Sequence, residues 1–281
     1  MAEDHKGKRN HKPTDNIKVA VRCRPLLNAE RELCEIACNP RKNQIGVVIP
    51  KQRGRDSNKL YTFDKVYDDT TTQSALFSQS IDPIISDVLE GYNCTVFCYG
   101  QTGSGKTFTM EGVRFSDDTK SSTTINMDDA DGIIPRAIKS IFHQLERDQI
   151  ESTVIVSHLE IYNEELQDLL SDDEITDGYG GGSKRKKLII YKDAKRKCQQ
   201  VFVQGLEEII VSSPQQIFDI LGKSTQKRCT AATNLNQRSS RSHCIFTITI
   251  RIKTCINTEE IVKTGSTLHP LSSILSRSIS A

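Results

Sequence analysis

The sequence Gly100-Gln101-Thr102-Gly103-Ser104-Gly105-Lys106-Thr107 decides how the rest of the chain is interpreted. It fits the phosphate-binding loop pattern G-x-x-x-x-G-K-[ST]. Its glycines let successive backbone N–H groups face one concavity, and a helix that starts near Gly105 adds the positive end of its dipole. In such a loop Lys106 binds the β- and γ-phosphate oxygens, and the Thr107 hydroxyl completes the shell of a Mg²⁺ ion that keeps most of its waters. The alternative is a Gly-rich surface turn.

The apolar run from Cys94 to Tyr99 leads directly into this loop and favours the nucleotide site over the surface turn. A short run that is apolar on both sides suits a buried parallel strand. Further from the loop, strand-like and helix-like patterns alternate along the chain. The strand-like segments are 17–22, 46–49, 60–63, 153–162, 244–252 and the start of another at 260–263, and the helical segments are 72–90, 134–147 and 214–226.

This alternation predicts an α/β fold. We expect a central sheet, mostly parallel or mixed, with helices on both faces and the nucleotide at the end of its strands. Residues 34–40 are expected to be a loop, residues 164–170 a short helix or turn, and residues 112–131 a long polar loop. Residues 188–203 are expected to form an exposed hairpin.

Composition narrows the class of protein. The 281 residues carry a net charge of +2, too balanced to indicate nucleic acid as a partner. No apolar run is long enough to cross a bilayer, and the charged segment 1–16 does not fit a secretory signal and is expected to be a disordered arm. Nine cysteines without a C-x-x-C pair are expected to be small buried hydrophobes in a reducing compartment. These features predict a cytosolic protein.

Four separated motifs together resemble one family, the kinesin motor domains. The phosphate loop lies within a longer match that runs from Tyr99 to Gly112. The first strand ends in Arg22-Cys23-Arg24-Pro25, and Glu160-Ile161-Tyr162-Asn163-Glu164 follows the phosphate loop in the family's order. The fourth motif is Asn236-Gln237-Arg238-Ser239-Ser240-Arg241-Ser242-His243. The resemblance implies the motor fold, binding of ATP with Mg²⁺, and microtubule-stimulated ATP hydrolysis.

The resemblance also implies the roles of individual residues. The residues that would frame the adenine and ribose are Arg22, Arg24, Pro25 and Phe108, and guanidinium and aromatic planes suit stacking on a purine. The residues that match the first switch loop, around the γ-phosphate, are Asn236, Ser239, Ser240 and Arg241, with Ser240 beside Thr107 as a magnesium ligand. Small hydroxyls suit phosphoryl transfer, in which catalysis is mostly positioning and charge stabilisation. Without the family, this cluster would be read as a polar turn.

Among kinesins, the chain looks most like the bipolar mitotic (BimC-type) class. That likeness rests on the long loop 112–131 and on the strings 132–136 and 205–209. It implies a place on spindle microtubules and, for the full-length product, a homo-tetramer formed through a stalk. The basic runs 184–187 and 195–197 flank the apolar residues 188–191 and precede 201–203 of the predicted hairpin, and they would face the acidic microtubule. Alone, such runs are more often a solvated face.

The end of the sequence departs from the family. Kinesins carry an Asp-Leu-Ala-Gly-Ser-Glu segment soon after the position of Gly265, whereas no aspartate follows Asp219 here. We therefore expect a motor domain over residues 17–265, cut short before the second switch, and an unstructured tail over 266–281. The alternative function is a hydrolysis-deficient fragment that binds nucleotide and microtubules. A phosphate-loop kinase or GTPase is a third reading, which would leave the Arg22-to-Pro25 and Ser239-to-His243 motifs unexplained.

Overall fold

The computed structural model describes most of the chain in nine separate stretches. They are residues 17–27, 30, 36–49, 57–113, 129–171, 188–192, 201–233, 242–256 and 259–266. The chain divides into two units, Met1–Thr71 and Thr72–Ala281, and each is described by itself. The predicted arm 1–16 and nearly all of the predicted tail 266–281 lie outside the described residues, so both remain predictions.

The described residues of the first unit form five short strands. They are β1 Ala20–Arg22, β2 Ile36–Asn39, β3 Gln44–Ile49, β4 Ser57–Thr62 and β5 Lys65–Tyr67. Strand β1 pairs in parallel with β5, and β2, β3 and β4 form an antiparallel sheet in that order. Val66 and Tyr67 of β5 are buried at 2% and 3% exposure, and Ile45 of β3 is also buried. These side chains form the small core of the unit.

The expectation of a loop over residues 34–40 is wrong, because Ile36–Asn39 form strand β2. It is joined to β3 by a single 3-10 turn at Pro40–Lys42, which Asn39 caps by accepting a hydrogen bond from the Lys42 N–H. Asn43 then takes a left-handed conformation, with φ of 53°. Strand β2 is mostly exposed, so it carries no alternation of apolar and polar residues that the sequence could reveal.

The second unit combines five helices with seven strands among its described residues. The helices are α1 Gln73–Leu76, α2 Asp82–Leu89, α3 Lys106–Met110, α4 Ile133–Arg147 and α5 Pro214–Thr233, with a π turn at Phe77–Ile81 joining α1 to α2. The strands are β6 Ser152–Tyr162, β7 Glu165–Asp168, β8 Ile189–Lys192, β9 Val201–Gln204, β10 Ile209–Val211, β11 Ser242–Ile256 and β12 Glu259–Ser266. No helix within the described ranges is long and apolar enough to span a membrane.

The main sheet of the second unit is built on the antiparallel pair β6 and β11. Their ladder runs from the pair Ser152 and Ile252 to the pair Tyr162 and Ser242. Strand β10 pairs with the other edge of β6, β12 pairs with β11, and β7 folds back on the end of β6. Every second residue of β11 is buried, as its alternating sequence predicts: Cys244, Phe246, Ile248, Ile250 and Ile252. Strand β6 is buried on both faces from Val154 to Glu160.

Helix α4 packs against α2, α3 and α5, and its apolar stripe lies in the core of the unit. Pro135 sits in its first turn, where a missing N–H costs nothing. Helix α5 begins at Pro214 as predicted but continues to Thr233 instead of ending near residue 226. The last turns, from Lys227 to Thr233, have no apolar periodicity, so sequence pattern alone stops too early.

Two expectations about the second unit are wrong. Residues 92–100 form no strand: none of the described strands pairs with them, and Phe97 and Tyr99 are 58% and 69% exposed. Residues 165–168 form strand β7 instead of a helical turn, because Asn163 and Glu164 both adopt positive φ and reverse the chain into a hairpin. The predicted hairpin at 188–203 is confirmed as β8 paired with β9.

Candidate nucleotide-binding site

The phosphate-loop sequence forms a tight turn that ends at the first residue of α3. The Ser104 N–H donates to the Gln101 carbonyl at 3.2 Å, which closes the turn. Gly103 and Gly105 have φ of 79° and 93°, a conformation that residues with a side chain rarely adopt. A Cβ atom on either glycine would meet no heavy atom within 4 Å. These two glycines are therefore required by backbone conformation, and they leave open space beside the loop.

Lys106 folds back over the loop that precedes it. Its Nζ atom donates to the Gly100 carbonyl at 2.8 Å and to the Gln101 carbonyl at 2.9 Å. An ammonium group has three donors, so the two carbonyls leave room for an anionic oxygen as a further acceptor. The positive charge is thus held at the mouth of the turn by the loop's own backbone.

The residues next to Lys106 present a hydroxyl and an aromatic ring to solvent. Thr107 is exposed, and Phe108 is 43% exposed. The buried amide of Gln73 donates to the Phe108 carbonyl at 2.7 Å, which ties α3 to α1. Of the other predicted loop residues, Gln101, Thr102 and Gly103 are exposed, and Ser104 and Gly105 are half-buried. The structure therefore brings Gly100 through Phe108 together at one surface site.

Three of the other predicted site residues belong to the first unit. Arg22 Nη2 donates to the Thr71 carbonyl at 3.4 Å. Arg24 forms a two-point ion pair with Glu30, with N to O distances of 2.7 and 2.6 Å. The hydrogen bonds from Arg24 and from the Leu27 N–H lower the pKa of Glu30 to about 2. Pro25 follows in the same loop. The predicted switch residues Asn236, Ser239, Ser240 and Arg241 lie outside the described residues.

A partly buried cluster of charges lies at the far end of α3, and no sequence pattern predicts it. Arg228 of α5 lies between two carboxylates, with Nη1 3.7 Å from Glu111 Oε1 and Nε 3.7 Å from Glu160 Oε1. Glu160 is 2% exposed. Burial raises the pKa of Glu111, and the positive charge of Arg228 opposes that rise. The cluster connects the end of the phosphate-loop helix to β6 through α5.

His158 lies on the same strand as Glu160, two residues earlier. It is buried, and its ring packs edge-on against Phe246 of β11, with centroids 5.6 Å apart. No hydrogen-bond partner for its Nδ1 is found among the residues that the structure describes. Burial and the neighbouring charge of Arg228 lower the pKa of His158 to about 3. This histidine is therefore neutral at physiological pH.

The donor set at the loop fits a magnesium ion that is held mainly by nucleotide and water. Thr107 supplies one exposed hydroxyl. Within the described ranges no group of three or more His, Cys, Asp or Glu side chains could hold a metal ion by itself. Mg²⁺ is commonly bound through one or two protein oxygens together with substrate phosphates and waters. The residues present fit that mode of binding better than an all-protein cage.

A narrow backbone crossing ties the end of α3 to the start of α4. Gly112 forms a β-bridge with Asp131, and the Gly132 N–H donates to the Glu111 carbonyl at 3.4 Å. A Cβ atom on Gly112 would overlap the Ala130 carbonyl oxygen, so only glycine fits there. Buried Arg136 donates to the carbonyls of Asp131 and Asp129 at 2.9 and 3.3 Å. The two ends of the predicted long loop are thereby fixed.

Comparison with known proteins defines the family. Residues 22–269 match the family model of the kinesin motor domain. The chain belongs to the kinesin motor domain family. This assignment confirms the predicted α/β motor fold, and it excludes the reading as a phosphate-loop kinase or GTPase.

The chain is similar to Kinesin-like protein KIN-5A of Arabidopsis thaliana, with 46% identity over 255 residues that cover 89% of this chain and 23% of that protein. It is also similar to Kinesin-like protein KIF11 of Mus musculus, with 42% identity over 254 residues, 89% of this chain and 23% of that protein. The chain spans about a quarter of the length of these curated relatives. They confirm the predicted likeness to the bipolar mitotic class.

A solved structure, described as that of a fast kinesin with implications for ATPase mechanism and interactions with microtubules, aligns with a TM-score of 0.73 and 36% identity. The alignment covers 94% of this chain and 66% of that one. The predicted motor-domain identity is thus confirmed by both sequence and fold. The alternative of a hydrolysis-deficient fragment is not favoured by these matches.

Proposed function

We propose that this chain is the ATP-hydrolysing head of a microtubule motor of the mitotic spindle. The observation that carries the proposal is the phosphate loop, where Lys106 is held over the turn by the Gly100 and Gln101 carbonyls. That arrangement occurs in a chain of the kinesin motor domain family, whose members bind nucleotide. The motor domain is proposed to extend over residues 17–265.

The loop residues are proposed to bind the phosphates of ATP. The Lys106 ammonium places a full positive charge beside the β- and γ-phosphates, where negative charge must be stabilised during phosphoryl transfer. The open space beside Gly103 and Gly105 is proposed to admit the phosphate oxygens, which backbone N–H groups of the turn would bind. The loop thereby positions the phosphate chain, which is the main protein contribution to this class of reaction.

Thr107 and Ser240 are proposed to hold Mg²⁺ through their hydroxyl groups. When bound, the ion neutralises charge on the β- and γ-phosphate oxygens. Asn236, Ser239 and Arg241 are proposed to position the attacking water and the γ-phosphate, as the family pattern implies. Arg22, Arg24, Pro25 and Phe108 are proposed to frame the base and ribose, and the exposed ring of Phe108 is consistent with that role.

The proposed partner is the microtubule, and the proposed location is the cytoplasmic cytoskeleton. Hairpin β8–β9 presents exposed side chains, with Tyr191 and Phe202 stacked at 5.7 Å between ring centroids. The basic runs 184–187 and 195–197 precede and interrupt this hairpin and supply charge complementary to an acidic surface. A homo-tetramer formed through a stalk is proposed for the full-length product, as the resemblance to the bipolar class implies, and neither nucleic acid nor membrane is proposed as a partner.

The decisive experiment is steady-state ATP hydrolysis by the 281-residue chain with and without microtubules. We expect microtubules to stimulate turnover, and Lys106→Ala to lower it by at least about a hundredfold because the phosphate charge loses its counterion. The variant should keep the wild-type circular dichroism spectrum, because Lys106 contributes no core packing. Lys223→Ala, which removes an exposed lysine from α5, serves as the control for general loss of charge.

Turnover that is unchanged in Lys106→Ala would contradict the assignment of the loop. ATP binding without turnover, at any microtubule concentration, would overturn the proposal in favour of the hydrolysis-deficient alternative. Equal binding of guanine and adenine nucleotides would contradict the proposed adenine frame.

A further inference from the structure

Two cysteine sulfur atoms lie in contact within the first unit. Cys23 directly follows β1, and Cys38 is the third residue of β2. Their Sγ atoms are 2.9 Å apart, with no covalent bond between them, and both residues are half-buried. They depart from the expectation of buried hydrophobic cysteines, which the buried Cys244 fulfils.

Both cysteines are held by backbone hydrogen bonds to strands that carry the core of the unit. The Cys23 N–H donates to the Tyr67 carbonyl at 2.8 Å, and Cys38 pairs with Ile45 across the β2–β3 ladder. Tyr67 and Ile45 are both buried. The two sulfur atoms are therefore brought together by the fold, and closing their separation to the length of a disulfide, about 2.0 Å, needs only a small side-chain movement.

We propose that Cys23 and Cys38 form a reversible redox site, which closes to an intramolecular disulfide by exchange with a small-molecule disulfide such as oxidised glutathione. The Cys23 thiolate attacks one glutathione sulfur and releases one glutathione thiolate, which takes up a proton. The Cys38 thiolate then attacks Cys23 Sγ in the mixed disulfide and releases the second glutathione. Two protein thiols are oxidised, and one glutathione disulfide is reduced to two glutathione molecules.

Other chemistry at this pair fits the surroundings less well. A structural zinc site needs about four ligands, and neither cysteine belongs to any group of three or more His, Cys, Asp or Glu side chains among the described residues. The contact of 2.9 Å between the two sulfur atoms therefore favours a disulfide between Cys23 and Cys38. It does not depend on the proposed motor function.

The test is peptide mapping of the full chain after incubation with oxidised glutathione. Trypsin cleaves after Arg22, Arg31 and Arg41 and spares the Arg24–Pro25 bond, so Cys23 falls in peptide 23–31 and Cys38 in peptide 32–41. Cys34 shares the second peptide, and Cys34→Ser is therefore the matched control. We expect a linked pair of these peptides in the wild type and in Cys34→Ser, and its loss on addition of dithiothreitol.

The Cys38→Ser variant gives the complementary result. It lacks the second thiol, so we expect no linked peptides and instead a glutathione molecule retained on Cys23. Linkage that survives in Cys38→Ser but disappears in Cys34→Ser would overturn the proposal. The proposal would also be overturned if, in the wild type, Cys94 and Cys98 take up glutathione while peptides 23–31 and 32–41 stay separate. This outcome is measured on the wild-type chain and does not depend on the folding of any variant.

Discussion

Strand β6 and the segment 92–100 are both rich in apolar residues, but only one of them forms a ladder. Strand β6 pairs with β11 along its whole length and buries Val156 completely. Segment 92–100 pairs with none of the described strands and leaves Phe97 58% exposed. Apolar composition gives a segment the capacity to be a strand, whereas hydrogen-bonded neighbours decide whether it becomes one.

The largest effect is expected from removing a ring at the centre of the ladder. Phe246 of β11 is fully buried and packs on His158 directly across the ladder. Truncation of this side chain to alanine leaves a cavity in the core beside β11. Phe246→Ala should therefore lower the free energy of unfolding by about 3–5 kcal/mol. Urea denaturation followed by circular dichroism measures this loss. An unchanged midpoint would show that the ladder does not carry the stability of the unit.

The next effect concerns the charges that connect the ladder to the phosphate-loop helix. Arg228→Met leaves Glu111 and Glu160 close together without the cation between them. We expect a loss of about 2 kcal/mol at pH 8, because ionised carboxylates are costly in a partly buried site. The loss should shrink at pH 5, where a carboxyl with a raised pKa takes up a proton.

The control for this variant is Arg147→Met, which breaks an exposed ion pair with Asp148. That variant should have the same denaturation midpoint as the wild type at both pH values. Equal destabilisation by the two arginine variants would contradict the inference that Arg228 stabilises the fold by neutralising Glu111 and Glu160.

An effect that depends on pH is expected from the titration of His158. The pKa of this group falls from 6.5 in the unfolded chain to about 3 in the folded one. The unfolded state therefore binds the proton first as the pH falls, and folding stability is complete above pH 6.5 and decreases between pH 6.5 and 3. The slope is about 1.4 kcal/mol per pH unit.

This slope is measured by comparing denaturation of the wild type and of His158→Gln from pH 7 to pH 4. The variant keeps Glu111, whose raised pKa acts in the opposite direction, so the difference between the two curves isolates the histidine. Parallel curves would mean that His158 is accessible to protons in the folded chain.

The smallest effect is expected in the segment that forms no ladder. Phe97→Ala removes a ring of the same size as that of Phe246 but from an exposed position. The free energy of unfolding should change by less than about 0.5 kcal/mol. A loss comparable to that of Phe246→Ala, measured under the same conditions, would mean that this segment is packed in solution.

The parts of the fold that sequence predicts well are those in which local pattern and tertiary burial agree. The alternation of β11 and the apolar stripe of α4 are read directly from residue spacing, and the glycines before Lys106 predict the turn. Strand β2 is exposed and the segment 92–100 is unpaired, so their patterns and their structures disagree. No local rule reports whether a neighbouring strand is present.

The charge cluster was missed because its members are distant in sequence. Glu111, Glu160 and Arg228 come from three different elements, and nothing in their spacing links them. One signal was available: His158 and Glu160 interrupt an otherwise apolar strand that is buried on both faces. A charged residue in such a strand implies a buried partner, although the sequence does not identify which residue it is.

Gly112 and Asp131 hold the two ends of the loop together, so the positions of the helices on either side do not depend on the length of the loop. Helix α3 ends and helix α4 begins at positions fixed by the crossing and by Arg136. Extra residues between two points that are already held together cost only a loop-closure entropy that grows with the logarithm of length. Evolution can therefore lengthen, shorten or rewrite residues 113–129 without moving the phosphate loop.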